Sequence, residues 1–563
     1  MESGQDASYD GADATRSRAY RVLTLSTAAF TVNFACWMMY GVLITFLVVN
    51  QLYDWDKSQT GWLIGIPVLT GALLRLPAGV LTDMYGGRKV FTAVMLVSSI
   101  PMFLVSQADS FYAFLFAGLG FGLSGASFAV GIAYTSVWFD KEHQGIALGI
   151  FGAGNAGAAL TAVFAPIMLL RLTNDGTDLE GWRTLPQIYA ALLVAMAVLF
   201  WLLTFERKVH ESESLTLRER LEPIRDVRVW RFGFYYFLVF GGFVALAQWL
   251  VPYYVNVYTV SIATAGMLTA VFSFPSGVIR ALGGWMSDYW GARRVMYWVL
   301  FTCLASSLLL LPPKMEVISP GEGVMAIRDG IVTNVDEANF TITVDGDTVY
   351  RYDGLIVSDD DGAENNEWNL LPVIERWQEP SVEEGQQVVR KQLLAKGVSH
   401  ITFEANIGVF TLLVFILGIA MGIGKAAVYK HIPVYYPKDV GVVGGLVGVI
   451  GGMGGFVCPV IFGYLLEWTG LWTSTWGFFA LISTACLFWM HHTIQRMTHA
   501  RAPLIAQMIE DPDLFVKLDT NGDGEISDEE WDEYRVYRDE IKAEQGVADS
   551  GGGEECANPN LSD

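Results

Sequence analysis

The shortage that says most about this 563-residue sequence is its shortage of charge, since Asp, Glu, Lys and Arg together make up only 17% of the residues. Average soluble proteins have about 25%. Apolar residues make up 52% of the chain, and the mean hydropathy is +0.37. This composition excludes an ordinary soluble domain and is typical of a polytopic membrane protein. We expect a multi-pass membrane protein rather than an enzyme.

Basic residues are scarce as well, with 36 Lys and Arg against 58 Asp and Glu and a formal net charge of −22. The acidity is concentrated in two places. Residues 313–400 contain 17 acidic and 7 basic residues, and residues 502–563 contain 18 and 4. The rest of the chain is therefore close to neutral, and the acidity belongs to two polar appendages. Such acidic surfaces exclude nucleic acid as a partner.

Cysteine is also rare, with five residues in the whole chain. Four lie in apolar segments and the fifth lies in the acidic tail: Cys36, Cys303, Cys458, Cys486 and Cys556. Their spacing matches neither a metal site nor a disulfide framework, so we interpret the four as core residues. We expect no organic cofactor. A cleavable signal peptide is not predicted either, because the first apolar stretch is too long and runs on into a second.

Twelve apolar segments are present, each with roughly the 20 residues that a helix needs to cross a bilayer. They lie near 20–50, 62–82, 89–107, 111–138, 145–171, 186–204, 232–258, 264–287, 294–312, 403–427, 440–466 and 471–492. The sequence therefore predicts an all-α polytopic membrane protein with twelve transmembrane helices in two pseudo-symmetric halves of six.

The basic residues predict the orientation. They collect before the first segment, after the second and eighth, and in the central loop: Arg16, Arg18, Arg21, Arg88, Lys89, Arg207, Lys208, Arg218, Arg220, Arg225, Arg228, Arg293 and Arg294. Loops 51–61, 108–110 and 467–470 contain one base, Lys57. Because cytoplasmic loops are enriched in Lys and Arg, we predict a protein of the cell membrane with both termini in the cytoplasm.

These patterns divide the chain into six parts. Residues 313–402 alternate apolar and polar positions around Asp-Gly pairs, which predicts a small external β-rich insert. We expect it to be a passive addition to the membrane-spanning part. The predicted parts are a disordered N-terminus (1–19), the first half (20–204), a cytoplasmic loop (205–231), the second half (232–312 and 403–492), the insert (313–402) and a cytoplasmic tail (493–563).

One stretch occurs twice. Residues 75–88 and 280–293 share Arg, Gly, Asp, Gly and Arg at identical spacing, offset by 205 residues. Arg75 and Arg280 each lie inside an apolar segment, where a charge costs roughly 2.5–3.5 kcal/mol on insertion scales. The nearest acids in their own segments, Asp83 and Asp288, lie two turns away. A duplicated arginine at membrane depth points to an anion site between two halves; pairing with a structural acid is the alternative.

Glycine recurs with a related symmetry. Gly145, Gly149 and Gly152 correspond to Gly441, Gly445 and Gly448 at an offset of 296. Small residues allow helices to pack closely in lipid. The high density of glycine around Asn155 also suits helices that must slide and tilt against each other. A glycine, which has no side chain, also exposes its backbone to a small substrate.

These residues carry a resemblance. The repeated Gly-x-x-x-Asp-x-x-Gly-x-Arg resembles the signature loop of the major facilitator superfamily. The stretches 149–157 and 444–455 resemble the paired signatures of its nitrate/nitrite porter family. The similarity covers about 20–312 and 403–492.

The resemblance implies roles for individual residues. Arg75 and Arg280 would hold the anion between the halves, with Asn155 and Tyr236 as hydrogen-bond donors. Gly152 and Gly448 would approach the substrate, and Phe34 or Trp37 would line the pocket. Asp83, Arg88, Asp288 and Arg293 would form gating contacts at the cytoplasmic face. The implied partners are nitrate and nitrite, the lipid bilayer and protons.

The tenth segment contains Lys425, where some family members have a neutral residue. The resemblance assigns this pattern to proton-coupled nitrate import, which we take as the leading hypothesis, with nitrate/nitrite exchange as the alternative. Lys425 is the coupling candidate; a lysine that merely extends its ammonium to the membrane surface is the other interpretation.

Residues 519–530 match the 12-residue EF-hand loop throughout. The predicted Ca²⁺ ligands are Asp519, Asn521, Asp523, Glu525 through its carbonyl, Ser527 and Glu530. This motif raises a function of a different class, a calcium-responsive membrane sensor on a transporter scaffold. Regulation of transport by calcium would require a smaller change of function than conversion of a transporter into a sensor.

Overall fold

The computed structural model describes residues 3–139, 141–207, 222–312, 315–354, 373–403, 406–436 and 440–510. It is mostly helical. The first half of the chain contains α1 (Ser3–Val49), α2 (Lys57–Leu73), α3 (Arg75–Tyr85), α4 (Gly87–Val105), α5 (Phe111–Phe121), α6 (Ser127–Ser136), α7 (Lys141–Gly152), α8 (Gly157–Leu172) and α9 (Thr184–Leu203).

The second half continues with helices on both sides of a β-structured segment. They are α10 (Val227–Tyr236), α11 (Gly242–Tyr258), α12 (Ile262–Val278), α13 (Arg280–Trp290), α14 (Ala292–Leu309), α15 (Ile407–Tyr435), α16 (Val440–Thr469) and α17 (Ser474–Glu510). We call the end of the bundle that carries Gly86 and Gly291 the inner end, after the predicted orientation, and the opposite end the outer end.

Within the described ranges, ten helical stretches are long and apolar enough to cross a membrane, and α12 with α13 is an eleventh if that bent pair counts as one span. The helix α14 is not among them. Its apolar character is diluted by Arg293 and Arg294 at its beginning. The structure therefore supports ten or eleven apolar spans where the sequence predicted twelve.

Three boundaries differ from those predicted. Helix α1 begins at Ser3, so residues 3–19 are helical instead of disordered; adding turns to an existing helix avoids the cost of nucleation. Helix α10 begins at Val227 instead of 232 because the Asp226 side chain caps it, accepting the Arg228 N–H. Helix α17 continues to Glu510 instead of ending near 492. The EF-hand loop 519–530 lies outside the described residues.

The two repeated arginines occupy equivalent breaks in the helices. Leu74 interrupts α2 and α3, and Arg75 is the first residue of α3. Ile279 interrupts α12 and α13, which bend by 48°, and Arg280 is the first residue of α13. The repeat thus places each arginine at a helix break within a predicted membrane span.

Other spans are interrupted near the same depth. A 3₁₀ turn, Ala153–Ala156, joins α7 to α8 and contains Asn155. A π-helical turn, Phe237–Gly241, joins α10 to α11 directly after Tyr236. π-helical turns are rare in proteins, and those that occur often lie at functional sites. These interruptions therefore indicate a functional site in the middle of the bundle.

Among the described residues between α14 and α15 there are seven strands, all paired antiparallel. They are β1 (Met315–Met325), β2 (Gly330–Asp336), β3 (Thr341–Val344), β4 (Thr348–Arg351), β5 (Val373–Pro380), β6 (Gln387–Val388) and β7 (Leu393–Phe403). One sheet has the order β1-β7-β5 and the other β4-β3-β2-β6. Their apolar core is separate from that of the helices.

Candidate functional site

Arg75 is buried in the middle of the bundle with a carbonyl as its polar partner. It is 3% exposed, and its Nη1 donates to the carbonyl oxygen of Gly448, 2.9 Å away on α16. Its Nε has no partner. This single bond crosses from the first half of the chain to the second and leaves donor capacity unused.

Three aromatic rings surround the Arg75 guanidinium. The distances from its Cζ to the ring centroids are 5.8 Å for Trp37, 5.3 Å for Phe128 and 4.9 Å for Phe240. The negative face of an aromatic ring attracts a cation, and more strongly where water is excluded. The rings therefore compensate part of the cost of burying this charge without neutralising it.

Arg280 faces the same ring as Arg75. Its Cζ lies 5.5 Å from the centroid of Phe128 and 5.4 Å from that of Tyr429. Since Arg75 Cζ is 5.3 Å from the Phe128 centroid, the two Cζ atoms are no more than 10.8 Å apart. Arg280 Nη1 is buried without a hydrogen-bond partner. The fold thus places both repeat arginines beside the ring of Phe128.

Two neutral polar side chains among the predicted site residues also lack partners among the described residues. Both polar atoms of Asn155 and the hydroxyl of Tyr236 are fully buried and unpaired. The Tyr236 ring stacks on Phe240, with centroids 4.9 Å apart, and meets Tyr429 edge-on at 5.0 Å. Buried polar groups without partners are uncommon in native structures, and they cluster where a ligand or water completes the bonding.

Glycines hold the backbone close to both arginines. A Cβ at Gly448 would lie 3.9 Å from Arg75 Nη1, and one at Gly452 would lie 3.3 Å from the same atom. A Cβ at Gly152 would lie 3.4 Å from Arg280 Cδ. Gly152 and Gly448, which the sequence related by symmetry, therefore line the two arginines from opposite halves.

No ion pair of Arg75 or Arg280 occurs among the described residues; the ion pairs present there involve other side chains. The structural-acid alternative thus finds no support in the described ranges. Two guanidinium groups, a tyrosine hydroxyl and an amide offer several donors and no carboxylate. This donor set suits a small anion that only accepts hydrogen bonds.

Lys425 lies on the Arg280 side of the arginine pair. It is fully buried, and its Nζ donates to the carbonyl oxygen of Ser276 at 3.3 Å and to its Oγ at 3.2 Å. The Nζ also lies 3.1 Å from the centroid of the Phe243 ring. Arg280 is close enough to interact electrostatically with it. The buried position argues against the membrane-surface interpretation of Lys425.

The two aromatic candidates of α1 differ in position. Trp37 faces Arg75, and its indole N–H donates to the carbonyl oxygen of Pro67 at 2.9 Å. Phe34 packs edge-on against Trp37 and Phe30, with centroids 5.5 and 5.6 Å apart. Trp37 therefore contacts Arg75 directly, and Phe34 packs against Trp37.

The four gating candidates lie at the inner end. Arg88 donates to the carbonyl oxygen of Trp201 and lies over its ring, 4.4 Å from the centroid. Arg293 donates to the Tyr435 hydroxyl at 2.5 Å. Asp288 pairs with Lys430. Asp83 also has a partner.

The same signature loops contain the glycines that end their helices. Gly86 and Gly291 have φ of 90° and 82°, a backbone conformation that favours glycine. The repeat is therefore preserved in backbone conformation as well as in sequence.

Three residues around the arginines did not stand out in the sequence: Phe128, Phe240 and Tyr429. Phe240 lies one helical turn after Tyr236, and Tyr429 lies one helical turn after Lys425. A search for aromatic residues one turn from each candidate would have found these two. Phe128 lies in an apolar segment rich in aromatics, where nothing local distinguishes it.

Access to the arginines differs between the two ends of the bundle. At the outer end, a Cβ at Gly61 would lie 2.4 Å from the Pro459 carbonyl oxygen, and one at Gly266 would lie 2.0 Å from that of Ala162. At the inner end, a Cβ at Gly145 or Gly149 would meet nothing within 4 Å. The halves therefore touch at the outer end, and beside Gly145 and Gly149 the described residues leave space.

Within the described residues, no group of three or more His, Cys, Asp or Glu side chains is arranged to hold a metal ion. The predicted Ca²⁺ ligands of the tail are outside those ranges.

The broken helices, the two halves and the central arginines are the architecture of a transport protein with a midplane site. The family model of the Major Facilitator Superfamily matches residues 27–321, and the chain belongs to this family. It is thus a multi-pass membrane transport protein and not an enzyme.

Within the superfamily, the chain is 38% identical over 486 residues to the probable nitrate/nitrite antiporter NarK1 of Thermus thermophilus, covering 86% of this chain and 93% of the relative. It is 24% identical over 489 residues to the nitrite extrusion protein of Bacillus subtilis, covering 86% and 97%.

Solved structures agree on the fold. The chain is similar to an inward-facing, occupied bacterial homologue of the human lysosomal transporter Spinster, with a TM-score of 0.54 and 16% identity over 84% of this chain and 97% of that one. The nucleoside transporter NupG gives a TM-score of 0.52 at 11% identity, over 84% and 99%.

Proposed function

We propose that this protein transports nitrate across the cell membrane and binds it between Arg75 and Arg280. The observation that carries the proposal is the pair of arginines at equivalent helix breaks, both facing Phe128 and both with an unpaired nitrogen. The names of the similar porters support the same substrate class.

Nitrate fits this donor set for chemical reasons. It is planar, remains ionised throughout the physiological range and accepts hydrogen bonds without donating any. The planar guanidinium presents parallel N–H donors that match two oxygens of such an anion. The buried Asn155 amide and Tyr236 hydroxyl can donate to it as well. A carboxylate beside the arginines would repel nitrate, and the described residues place none in an ion pair with them.

The two arginines also supply a reason for the halves to move. Without an anion between them the guanidinium groups repel one another; with an anion, both are attracted to it. Binding therefore favours an arrangement in which both halves close around the site. The contact at the outer end and the space at the inner end are those of one side of an alternating-access cycle.

Conservative substitution of the arginines tests the site. In proteoliposomes, Arg75→Lys and Arg280→Lys should each lower nitrate uptake at subsaturating nitrate by about 10- to 100-fold, because a lysine keeps the charge and loses the paired donors. Arg171→Lys, an exposed arginine at the end of α8, is the matched control. Uptake at the wild-type rate in either core variant would refute the assignment.

We further propose that import is coupled to protons through Lys425. Protonated Lys425 and Arg280 repel each other, and an anion beside Arg280 weakens that repulsion. Nitrate and a proton therefore favour each other's binding, as linkage requires. Nitrate/nitrite exchange is the competing function, favoured by the names of the similar proteins. Acceleration of uptake by external acid indicates coupling to protons; dependence on internal nitrite indicates exchange.

Calcium modulation is proposed on the EF-hand spacing of residues 519–530 alone. Nitrate uptake should change when internal calcium is chelated, and the change should disappear when residues 511–563 are removed. Equal rates with and without calcium in the intact protein would exclude modulation. A chain that binds calcium and does not move nitrate would instead favour the membrane-sensor alternative.

A further inference from the structure

A glutamine is buried on the outer side of the arginine pair, and its amide is left without a partner. Gln248 of α11 is 1% exposed. Within the described ranges, neither its Nε2 nor its Oε1 makes a hydrogen bond. Burying a primary amide without hydrogen bonds is costly, so such a residue points to a partner outside the polypeptide, which is either a water molecule or a ligand.

Gln248 lies at the interface between the two halves of the bundle. A Cβ built at Gly41 of α1 would lie 2.8 Å from both Cα and Cβ of Gln248 and 3.1 Å from its Cγ. The glycine therefore makes room for the glutamine side chain. Because α1 belongs to the first half and α11 to the second, opening of the outer end would move these two residues apart.

The same two helices border the arginine pair further toward the inner end. On α1, Trp37 lies one turn before Gly41 and faces Arg75. On the second half, Phe240 lies eight residues before Gln248 and faces the same guanidinium. At 1.5 Å per residue, Gln248 is therefore about 12 Å from Phe240 along the helix, in the direction of the outer end.

A cavity at the outer end continues this line. Both halves contribute to its lining, which includes Thr45 of α1 and three residues of α11, Trp249, Pro252 and Asn256, and contains no carboxylate. The indole Nε1 of Trp249 is buried and, like the Gln248 amide, has no hydrogen-bond partner in the described part of the chain. Gln248 thus lies between this cavity and the arginine pair, next to a second unused donor.

We propose that the Gln248 amide is a further contact for the transported anion, which meets it between the outer cavity and the arginine pair when the outer end opens. The inference rests on the proposed transport of nitrate. The amide NH2 can donate to nitrate, and it replaces part of the hydration that the anion loses on entering the bundle. Because the amide is neutral, it holds the anion more weakly than a guanidinium does and releases it to the arginine pair.

Three measurements on the same preparations of the full-length protein test this contact: nitrate uptake into proteoliposomes, nitrate binding in detergent and thermal unfolding. Gln248→Met removes the amide at nearly constant length and should lower uptake at subsaturating nitrate about tenfold. Its dissociation constant for nitrate should stay within twofold of wild type, because both arginines are intact. Its unfolding midpoint should not fall, because the substitution removes buried unpaired polar atoms. Gln248→Asn keeps an amide and should recover part of the uptake.

Gln187→Met is the matched control and should keep wild-type uptake, because Gln187 of α9 donates to the Ser106 Oγ at 3.3 Å inside the first half. If Gln248 binds only a structural water, Gln248→Met will take up nitrate at the wild-type rate, and the contact is overturned while the proposed function stands. A loss of uptake accompanied by weaker nitrate binding or a lower midpoint would overturn it as well. A wild-type protein that moves no nitrate would refute the proposed function and this inference with it.

Discussion

At the scale of single residues, burying Arg75 is nearly balanced in free energy. An arginine in mid-membrane costs roughly 2.5–3.5 kcal/mol on insertion scales. Three aromatic contacts at about 0.5–1 kcal/mol each, with one hydrogen bond of about 1 kcal/mol, offset most of that cost. The side chain is thus tolerated without a carboxylate, which would compete with an anionic substrate. The unpaired Nε remains available.

The coupling hypothesis makes a prediction at this scale. Lys425→Met should abolish the acceleration of nitrate uptake by external acid and preserve exchange of external nitrate for internal nitrate, because the anion site keeps both arginines. Lys57→Met, at the outer end, is the control. Initial uptake rates at two external pH values measure the effect. If the variant keeps the wild-type pH response, Lys425 does not carry the coupling.

At the scale of helices, glycines in the middle of the bundle and at its inner end have different roles. Gly451 allows α16 to touch α10, since a Cβ there would lie 2.2 Å from Tyr236 Cδ1. Gly149 of α7 has no such neighbour, and a Cβ there would meet nothing within 4 Å. The first glycine is needed for packing in this conformation. The space beside the second is available for movement of the inner end.

This difference predicts opposite phenotypes for two alanine substitutions. Gly451→Ala should lower the thermal unfolding midpoint, because the new methyl group overlaps the Tyr236 ring. Gly149→Ala should leave the midpoint unchanged and slow nitrate transport, because the methyl group hinders closure of the inner end. Unfolding scans and uptake rates on the same preparations separate the two effects. A Gly149→Ala protein with wild-type transport would show that this surface does not close.

At the scale of the whole molecule, the β-structured segment is attached to the helices as a separate unit. Met315 of β1 pairs with Phe403 of β7, so the two ends of the segment lie side by side. Its apolar core does not merge with that of the helices. Replacing residues 316–402 with a short Gly-Ser linker should therefore leave nitrate uptake within about twofold of wild type. A severe loss of uptake in a folded, membrane-inserted variant would assign this segment a role in transport.

Much of this molecule could be predicted from sequence because the signals are local or repeated. Apolar length predicts most spans, since a bilayer imposes a minimum length on any helix that crosses it. The repeat of Arg75 and Arg280 predicts equivalent positions because duplicated halves fold alike. The described residues contain ten or eleven such spans instead of the predicted twelve, because Arg293 and Arg294 make α14 less apolar than its neighbours.

Only the tertiary structure decided which side chains meet. Phe128 lies near both arginines because its ring reaches Phe240 and Arg280 of the second half, contacts between residues distant in sequence. The helix breaks at Leu74 and Ile279 and the burial of Lys425 against Phe243 also depend on packing between helices. Composition and periodicity determine which segments enter the membrane; the direction of each side chain within it follows from which helices touch.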